Sequence, residues 1–328
     1  MISKYKKFIN FYYGESNTEC NTSATFGSYF EMTEKRKIWH WIVLAALSLI
    51  WGTSYILMKK GLESFSSLQV GSLRVSITFI CLLPIALKNL HYLNRTNILS
   101  IILIGLLGSV FPAFLFPLAE TKISSSLAGM LNSLSPVFTL VLGITIYKRK
   151  AIKTQITGVF LGLIGAAGLL YTGSFTFSMY GLLVVLATFM YGFSANEVSR
   201  VKGLNGIKIT ALSFFLTSPL AIIYLIFSDL TVPMHTANWI RNLCFIGILA
   251  FLGTATALAI FYVLIRDTSP IFASTVTYFI PIVATLWGFA DNEHFSYSML
   301  ISIVFIFAGV FIINRPDFFK RKKVVSDE

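Results

Sequence analysis

Trp51-Gly-Thr-Ser-Tyr-Ile-Leu-Met-Lys-Lys-Gly-Leu62 opens with Trp-Gly-x-Ser and closes with Lys-Gly-Leu, and the chain uses this design twice. The second copy begins Tyr191-Gly-Phe-Ser194 and ends Lys202-Gly-Leu204. A second block repeats as well. Ser124 to Gly143 returns as Ser269 to Gly288, with Pro136 falling on Pro281 at a constant offset of 145. Pro84 and Pro219 correspond in the same sense, as do Gly165 and Gly309. Chance matches between apolar residues are cheap in a greasy chain; matched Pro, Gly and Ser positions are not.

The surroundings of the repeats set the class. Of 328 residues, 55% are hydrophobic and only 12% charged, against about 25% charged in soluble domains. Crossing a bilayer takes about 20 consecutive apolar residues. Ten such runs are expected: Ile38–Met58, Leu68–Leu87, Ile98–Ala119, Ile123–Tyr147, Ile156–Tyr171, Met179–Val198, Ile207–Phe227, Leu243–Ile265, Pro270–Ala290 and Phe295–Ile313. The fifth is short and has room to start near Ala151. A strand barrel would instead show short alternating segments. The expected fold is an all-α polytopic membrane protein.

The net charge of +12 invites a nucleic-acid reading, but its distribution answers that. With a cytoplasmic N-terminus, the inner segments hold 21 Lys and Arg and the outer loops hold 4, Arg74 alone lying within a span. Positive residues are retained on the cytoplasmic side, so both termini are expected inside and no nucleic-acid partner is implied. Five spans per half is an odd number. The second half then enters from the opposite side, giving two inverted five-helix repeats over 38–171 and 179–314. Residues 1–37 are expected to be a disordered cytoplasmic segment and 315–328 a basic cytoplasmic tail. Met32 begins Met-Thr-Glu-Lys-Arg-Lys, a natural lead into the first helix and the expected start of translation; a mature N-terminus upstream of it would refute this. Cys20, Cys81 and Cys244 provide no disulfide framework.

Helix faces nominate the site residues. Trp51, Ser54 and Tyr55 lie at i, i+3 and i+4 and share one face; Tyr191 and Ser194 repeat the pattern beside Asn196. Aromatic rings next to hydroxyls suit a small organic solute, while Trp and Tyr also anchor helices at membrane boundaries. Asn132 and Pro136 share a stripe with Gly129 and Gly143 in the fourth span; Thr277, Tyr278 and Pro281 hold the ninth, with Ser274 and Gly288. Tight helix packing and a wet, kinked cavity wall both fit these residues. Gly158-x-x-x-Gly162 reads as packing. Arg74 lies six residues past Leu68, about 9 Å along its helix. It can snorkel, pair, or meet an anionic solute group.

Glu197 is expected to pair with Arg200 as a structural contact, as is Lys208 at its helix end. Asp291 and Glu293 read as a solvated turn. No Asp, Glu or His is placed mid-membrane, with His40, His91, His235 and His294 all near boundaries, so a proton relay through a buried carboxylate is not expected. No metal cluster, phosphate loop or cofactor site is legible, and catalysis lacks the clustered polar groups it needs.

The Trp51 to Ser54 segment, Arg74, Ser124 to Pro136, Val276-Thr-Tyr-Phe-Ile-Pro281 and Glu293 together resemble the EamA-type family of the drug/metabolite transporter superfamily, over about residues 38–314. Tyr147-Lys-Arg-Lys150 stands where a first acidic position would match Glu293. The resemblance implies an inner-membrane carrier, often an exporter of amino acids or other small metabolites, with a central cavity. The expected function is therefore secondary transport by alternating access, as a monomer or homodimer, with a small-molecule substrate and the lipid bilayer as partners. Spans one, four, six and nine would line the cavity. A non-transporting sensor or assembly subunit is the alternative.

Overall fold

The computed structural model describes residues 22–149, 153–172, 176–293 and 296–314. Expectations for 1–21, Lys150, His294, Phe295 and the tail 315–328 lie outside the described residues. The chain divides into two units, Met1–Ile42 and Val43–Glu328. The first is helical from Thr22, sixteen residues before the expected start at Ile38. All that follows concerns the second.

In chain order the apolar helices are α1 (Thr22–Leu62), α2 (Ser67–Asn89), α3 (Ile98–Glu120), α4 (Ser125–Thr145), α5 (Lys153–Leu170) and α6 (Met179–Arg200). Next come α7 (Gly206–Thr217 with Pro219–Phe227), α8 (Trp239–Asp267), α9 (Pro270–Ala290) and α10 (Tyr297–Asn314). Seven are long and apolar enough to cross a membrane, and α7 makes an eighth if its two parts, bent by 43°, form one span. The apolar stretches of α5 and α10, Thr154–Leu169 and Tyr297–Ile312, fall short of that length. The fold is thus helical and membrane-spanning; among the described residues, length and composition alone mark seven of the ten expected spans, or eight with α7. One small exception to the all-α expectation follows α5, where Tyr171–Thr172 pairs antiparallel with Thr176–Phe177.

The helix ends follow from side chains that the two halves share. Ser124 begins α4 by accepting from the Leu127 N–H at 3.2 Å, and Ser269, 145 residues on, begins α9 by accepting from Phe272 at 3.1 Å. Ser66 makes a capping box with Gln69 at the start of α2, and Asn205 caps α7 through the Lys208 N–H. Each such cap stabilises its helix by about 1 kcal/mol. Both α3 and α8 widen into π-helix, at Leu106–Val110 and Leu249–Thr256. Proline placement interrupts α4 between Asn132 and Ser135, and α9 through a 3₁₀ turn at Thr275–Tyr278.

Packing then sets helix neighbours. α5 lies along α10, α4 meets α6 and α9, and α2 meets α3, α7 and α8. At Gly165 a Cβ would strike the Ser302 carbonyl, and at Gly309 the Gly158 carbonyl, so α5 and α10 touch backbone to backbone. Gly158 and Gly162 serve that same contact. A Cβ at Gly129 would lie 2.6 Å from the Ala284 Cβ, which makes this glycine a packing position between α4 and α9.

Candidate functional site

Both π-helical segments carry a glycine that admits a hydroxyl from the other half. A Cβ at Gly253 in α8 would crowd Ser54 of α1, and one at Gly108 in α3 would crowd Ser194 of α6 and the Tyr262 hydroxyl. Gly108 and Gly253 are 145 residues apart, Ser54 and Ser194 140. Aromatic pairs extend the match. Phe116 stacks on Tyr191 with ring centroids 5.9 Å apart, and Phe261 meets Trp51 edge-on at 5.0 Å. π-Helical turns redirect backbone groups and recur at functional sites. Here the Gly253 carbonyl accepts from the Trp51 indole N–H at 2.8 Å.

These contacts enclose a cavity. Eight of the ten residues expected to bind a solute line it: Trp51, Ser54, Tyr55, Arg74, Asn132, Tyr191, Ser194 and Thr277. Asn196 does not. Fully buried behind the wall, its side-chain amide donates to the Thr139 and Gly192 carbonyls at 2.8 and 2.9 Å. Tyr278 also lies outside, edge-on to Phe307 with centroids 6.3 Å apart. Pro136 and Pro281 sit at the helix interruptions rather than on the wall. The expectation of a wall from spans one, four, six and nine needs enlarging. α2 adds Arg74, α3 adds Ser109 and Phe116, and α8 adds Thr254, Phe261 and Tyr262. The cavity offers about 80 Å³ to the centres of water molecules, where about 10–15 Å³ suffices for one.

Arg74 is the cation on this wall. Its Nε donates to Thr254 Oγ1 at 2.8 Å, and it has no ion-pair partner among the described residues. Thr78, one turn on, ties the Arg74 carbonyl region to α8 by donating to the Arg74 and Ala250 carbonyls at 2.8 and 3.1 Å. A guanidinium has five N–H donors in a planar fork suited to a carboxylate. Snorkelling is excluded by its position, since Arg74 is buried within the protein. The opposite wall is neutral: Ser194 Oγ and the Tyr262 hydroxyl are 3.0 Å apart.

Outside the cavity lining, a cluster of charges ties the end of α1 to the turn after α9. Lys59 Nζ lies 2.7 Å from Asp291 and 2.8 Å from Glu293, and Lys60 lies 2.8 Å from Asp291. Glu293 also accepts from the backbone N–H groups of Ser125 and Ser126 at 2.9 and 3.1 Å, and from both hydroxyls at 2.7 and 2.5 Å. A carboxylate at a helix N-terminus is favoured by the unpaired N–H groups there. Burial pushes the Glu293 carboxyl up, but hydrogen bonds from Lys59, Ser126 and Ser125 outweigh it and pull it down to about 2. The solvated turn expected here is instead a partly buried ionic latch, the Glu293 side chain being 4% exposed and that of Asp291 20%.

Glu197, in the last turn of α6, is also buried. Its expected partner Arg200 is 4.0 Å away and largely exposed; the short bonds come from Ser100 at 2.5 Å and Tyr147 at 2.6 Å. Lys208 lies 3.8 Å above the Tyr92 ring, a structural contact. Hydropathy ends the third span at Ala119 and so leaves out Glu120. In the structure Glu120 closes α3, is buried, and neither carboxylate oxygen has a hydrogen-bond partner among the described residues. A buried carboxylate is thus present after all. Among the described residues no group of three or more His, Cys, Asp or Glu could hold a metal.

Residues 38–171 and 178–315 each match the EamA-like transporter family. The uncharacterized inner membrane transporter YedA of Escherichia coli (strain K12) is 27% identical over 289 residues, 86% of this chain and 93% of that protein. Protein PecM of Dickeya dadantii is 24% identical, covering 84% and 93%. An S-adenosylmethionine/S-adenosylhomocysteine transporter of Chlamydia trachomatis is 24% identical, covering 83% and 88%. One protein known by its crystal structure superposes with a TM-score of 0.60 over 83% of this chain and 94% of its own, at 14% identity, a likeness of fold alone.

Proposed function

Because the chain belongs to the EamA-like transporter family, we propose that its cavity is the solute site of a secondary transporter in the cytoplasmic membrane. The solute is a small organic metabolite with a carboxylate, an amino acid or a relative of one, and the direction is export. The observation that carries this reading is Arg74, a buried guanidinium on the cavity wall with one hydrogen bond and no ion-pair partner among the described residues. A bare cation in a low-dielectric wall is costly, and an incoming carboxylate supplies the missing partner. Trp51, Tyr55 and Tyr191 offer the apolar body of such a solute a surface, while Ser54, Asn132, Ser194 and Thr277 orient its polar groups. The chlamydial relative is named for S-adenosylmethionine, which carries both a carboxylate and an aromatic base. That supports the class without choosing the member.

The mechanism proposed is alternating access. Ten crossings in two inverted halves rock about the cavity, both termini cytoplasmic, with the Glu293 latch on the outer face. Support comes from the Lys and Arg distribution and from the paired caps, π-helical turns and aromatic contacts above. The test is flux into liposomes holding the purified protein, with a panel of amino acids, amines, organic acids and S-adenosylmethionine. Saturable flux of carboxylate-bearing solutes, lost in R74A, is expected. No flux across the panel, or equal flux of amines lacking a carboxylate, sinks the reading.

A further inference from the structure

Glu120 stands 145 residues before Ile265, the offset that takes Gly108 to Gly253 and Phe116 to Phe261. In the second half this place is an ordinary packing position, since Ile265 is 2% exposed. In the first half it holds a carboxyl group, 7% exposed, neither of whose oxygens meets a donor among the described residues. Apolar packing therefore suffices at this place in the fold, and the acid adds no structural bond. Its surroundings join the two parts of the site. The ionisable groups within electrostatic reach of it are Lys59 and Tyr55 on α1, Arg74 on α2 and Glu293 in the turn after α9. α4 contributes no ionisable side chain, and α6 contributes Tyr191, which stacks on Phe116 one turn before Glu120. None of these groups is within hydrogen-bond or ion-pair distance.

From this we infer that Glu120 is the proton-binding group that couples solute movement to a proton gradient. A solute ammonium is a poorer occupant, because Glu120 does not line the cavity. A metal cation needs several converging oxygens, and no second polar group approaches either carboxylate oxygen. A proton needs no further ligand. It leaves hydronium at one membrane face, forms an O–H bond with a carboxylate oxygen while the group is dry, and returns to water at the other face when rocking hydrates it. No electrons move. Its electrostatic reach to Lys59 and Glu293 in the latch, and to Tyr55 and Arg74 on the cavity wall, lets the charge of Glu120 act on both.

This inference rests on the carrier reading, so its test separates the two. Purified protein is placed in vesicles with radiolabelled phenylalanine or S-adenosylmethionine as probe, and exchange at zero gradient is compared with flux under an imposed pH gradient. Wild type should respond to the gradient several-fold. E120Q should exchange solute within about twofold of wild type and lose the response, and E120I, bearing the residue of position 265, should behave likewise. Wild-type exchange indifferent to the gradient overturns the proton role and leaves the carrier standing. A full gradient response in E120Q overturns it as well. An infrared titration needs no solute: a protonated-carboxyl band present in wild type and missing in E120Q is expected, and its absence from wild type rejects Glu120 as proton carrier. If neither probe exchanges across any vesicle, the carrier reading falls for both, and the coupling falls with it.

Discussion

Arg149 and Glu293 occupy one place in the two halves and do different chemistry there. The Arg149 N–H bonds the Gly143 carbonyl at 2.8 Å and the Glu293 N–H bonds the Gly288 carbonyl at 2.9 Å. Each follows a residue with positive φ, Lys148 at 51° and Asn292 at 57°. Glu293 then reaches Lys59 at 2.8 Å, while Arg149 reaches Ser199 Oγ at 2.8 Å. Ser199 stands 140 residues after Lys59, as Tyr191 does after Trp51. The latch geometry is duplicated, but one copy joins opposite charges and the other a cation to a neutral hydroxyl. Both bonds have an ionised partner, but only the Glu293 copy pairs opposite charges and adds the N–H groups of a helix N-terminus. Under the proposed alternating access, unequal latches favour one closure over the other. The same division runs inward: Arg74 binds Thr254 on one wall, and 135 residues on Ile209 is plain packing.

The comparison breaks most severely at Arg74. R74A should lower flux of a carboxylate-bearing solute about 100-fold, consistent with losing a buried charge pair, while the protein still elutes as a folded species. R74K, lacking the planar fork, should recover only part of it. Next in size is an exchange of latches. R149E/S199K builds an ionic latch at the neutral end and should slow turnover about tenfold, since about 1.4 kcal/mol of added closure is a factor of ten in the two-state ratio. E293Q should lower Tm, and by more than R149Q, which loses a hydrogen bond of about 1 kcal/mol. The Glu293 carboxyl is held below its ordinary value of 4.5, at about 2. Its contribution is therefore complete above about pH 4.5 and lost as pH falls toward 2. Wild type and E293Q should converge in Tm over that interval and stay apart at neutral pH. The smallest effect belongs to W51F, which removes one hydrogen bond to Gly253 and should change solute affinity a few-fold.

The membrane class, the doubled unit and most of the cavity wall were legible in the sequence because Pro, Gly and Ser positions repeat at fixed offsets. Ser124 and Ser269 do cap matching helices, and Trp51 and Tyr191 do face one space. The π-helical turns were not legible, since apolar residues on every side leave no periodicity from which to read a changed register. Asn196 misled because proximity in sequence to Ser194 does not fix which way a helix face turns; it points at α4. Glu120 was hidden by hydropathy, which ends a span at the first charge and cannot say that the helix continues and buries it. Phe261 and Tyr262 looked like two more aromatics in a chain rich in them. The 145-residue offset from Phe116 carried the missing signal for Phe261.

Thiol accessibility tests the central claim, that the Ser54 wall faces a cavity open to each side in turn. In a variant with every native Cys replaced and S54C introduced, a membrane-impermeant thiol reagent is applied to right-side-out and to inverted vesicles. Modification from both faces, slowed by a transported solute in each orientation, is the predicted result. Modification from one face alone, whatever solute is present, would contradict the account.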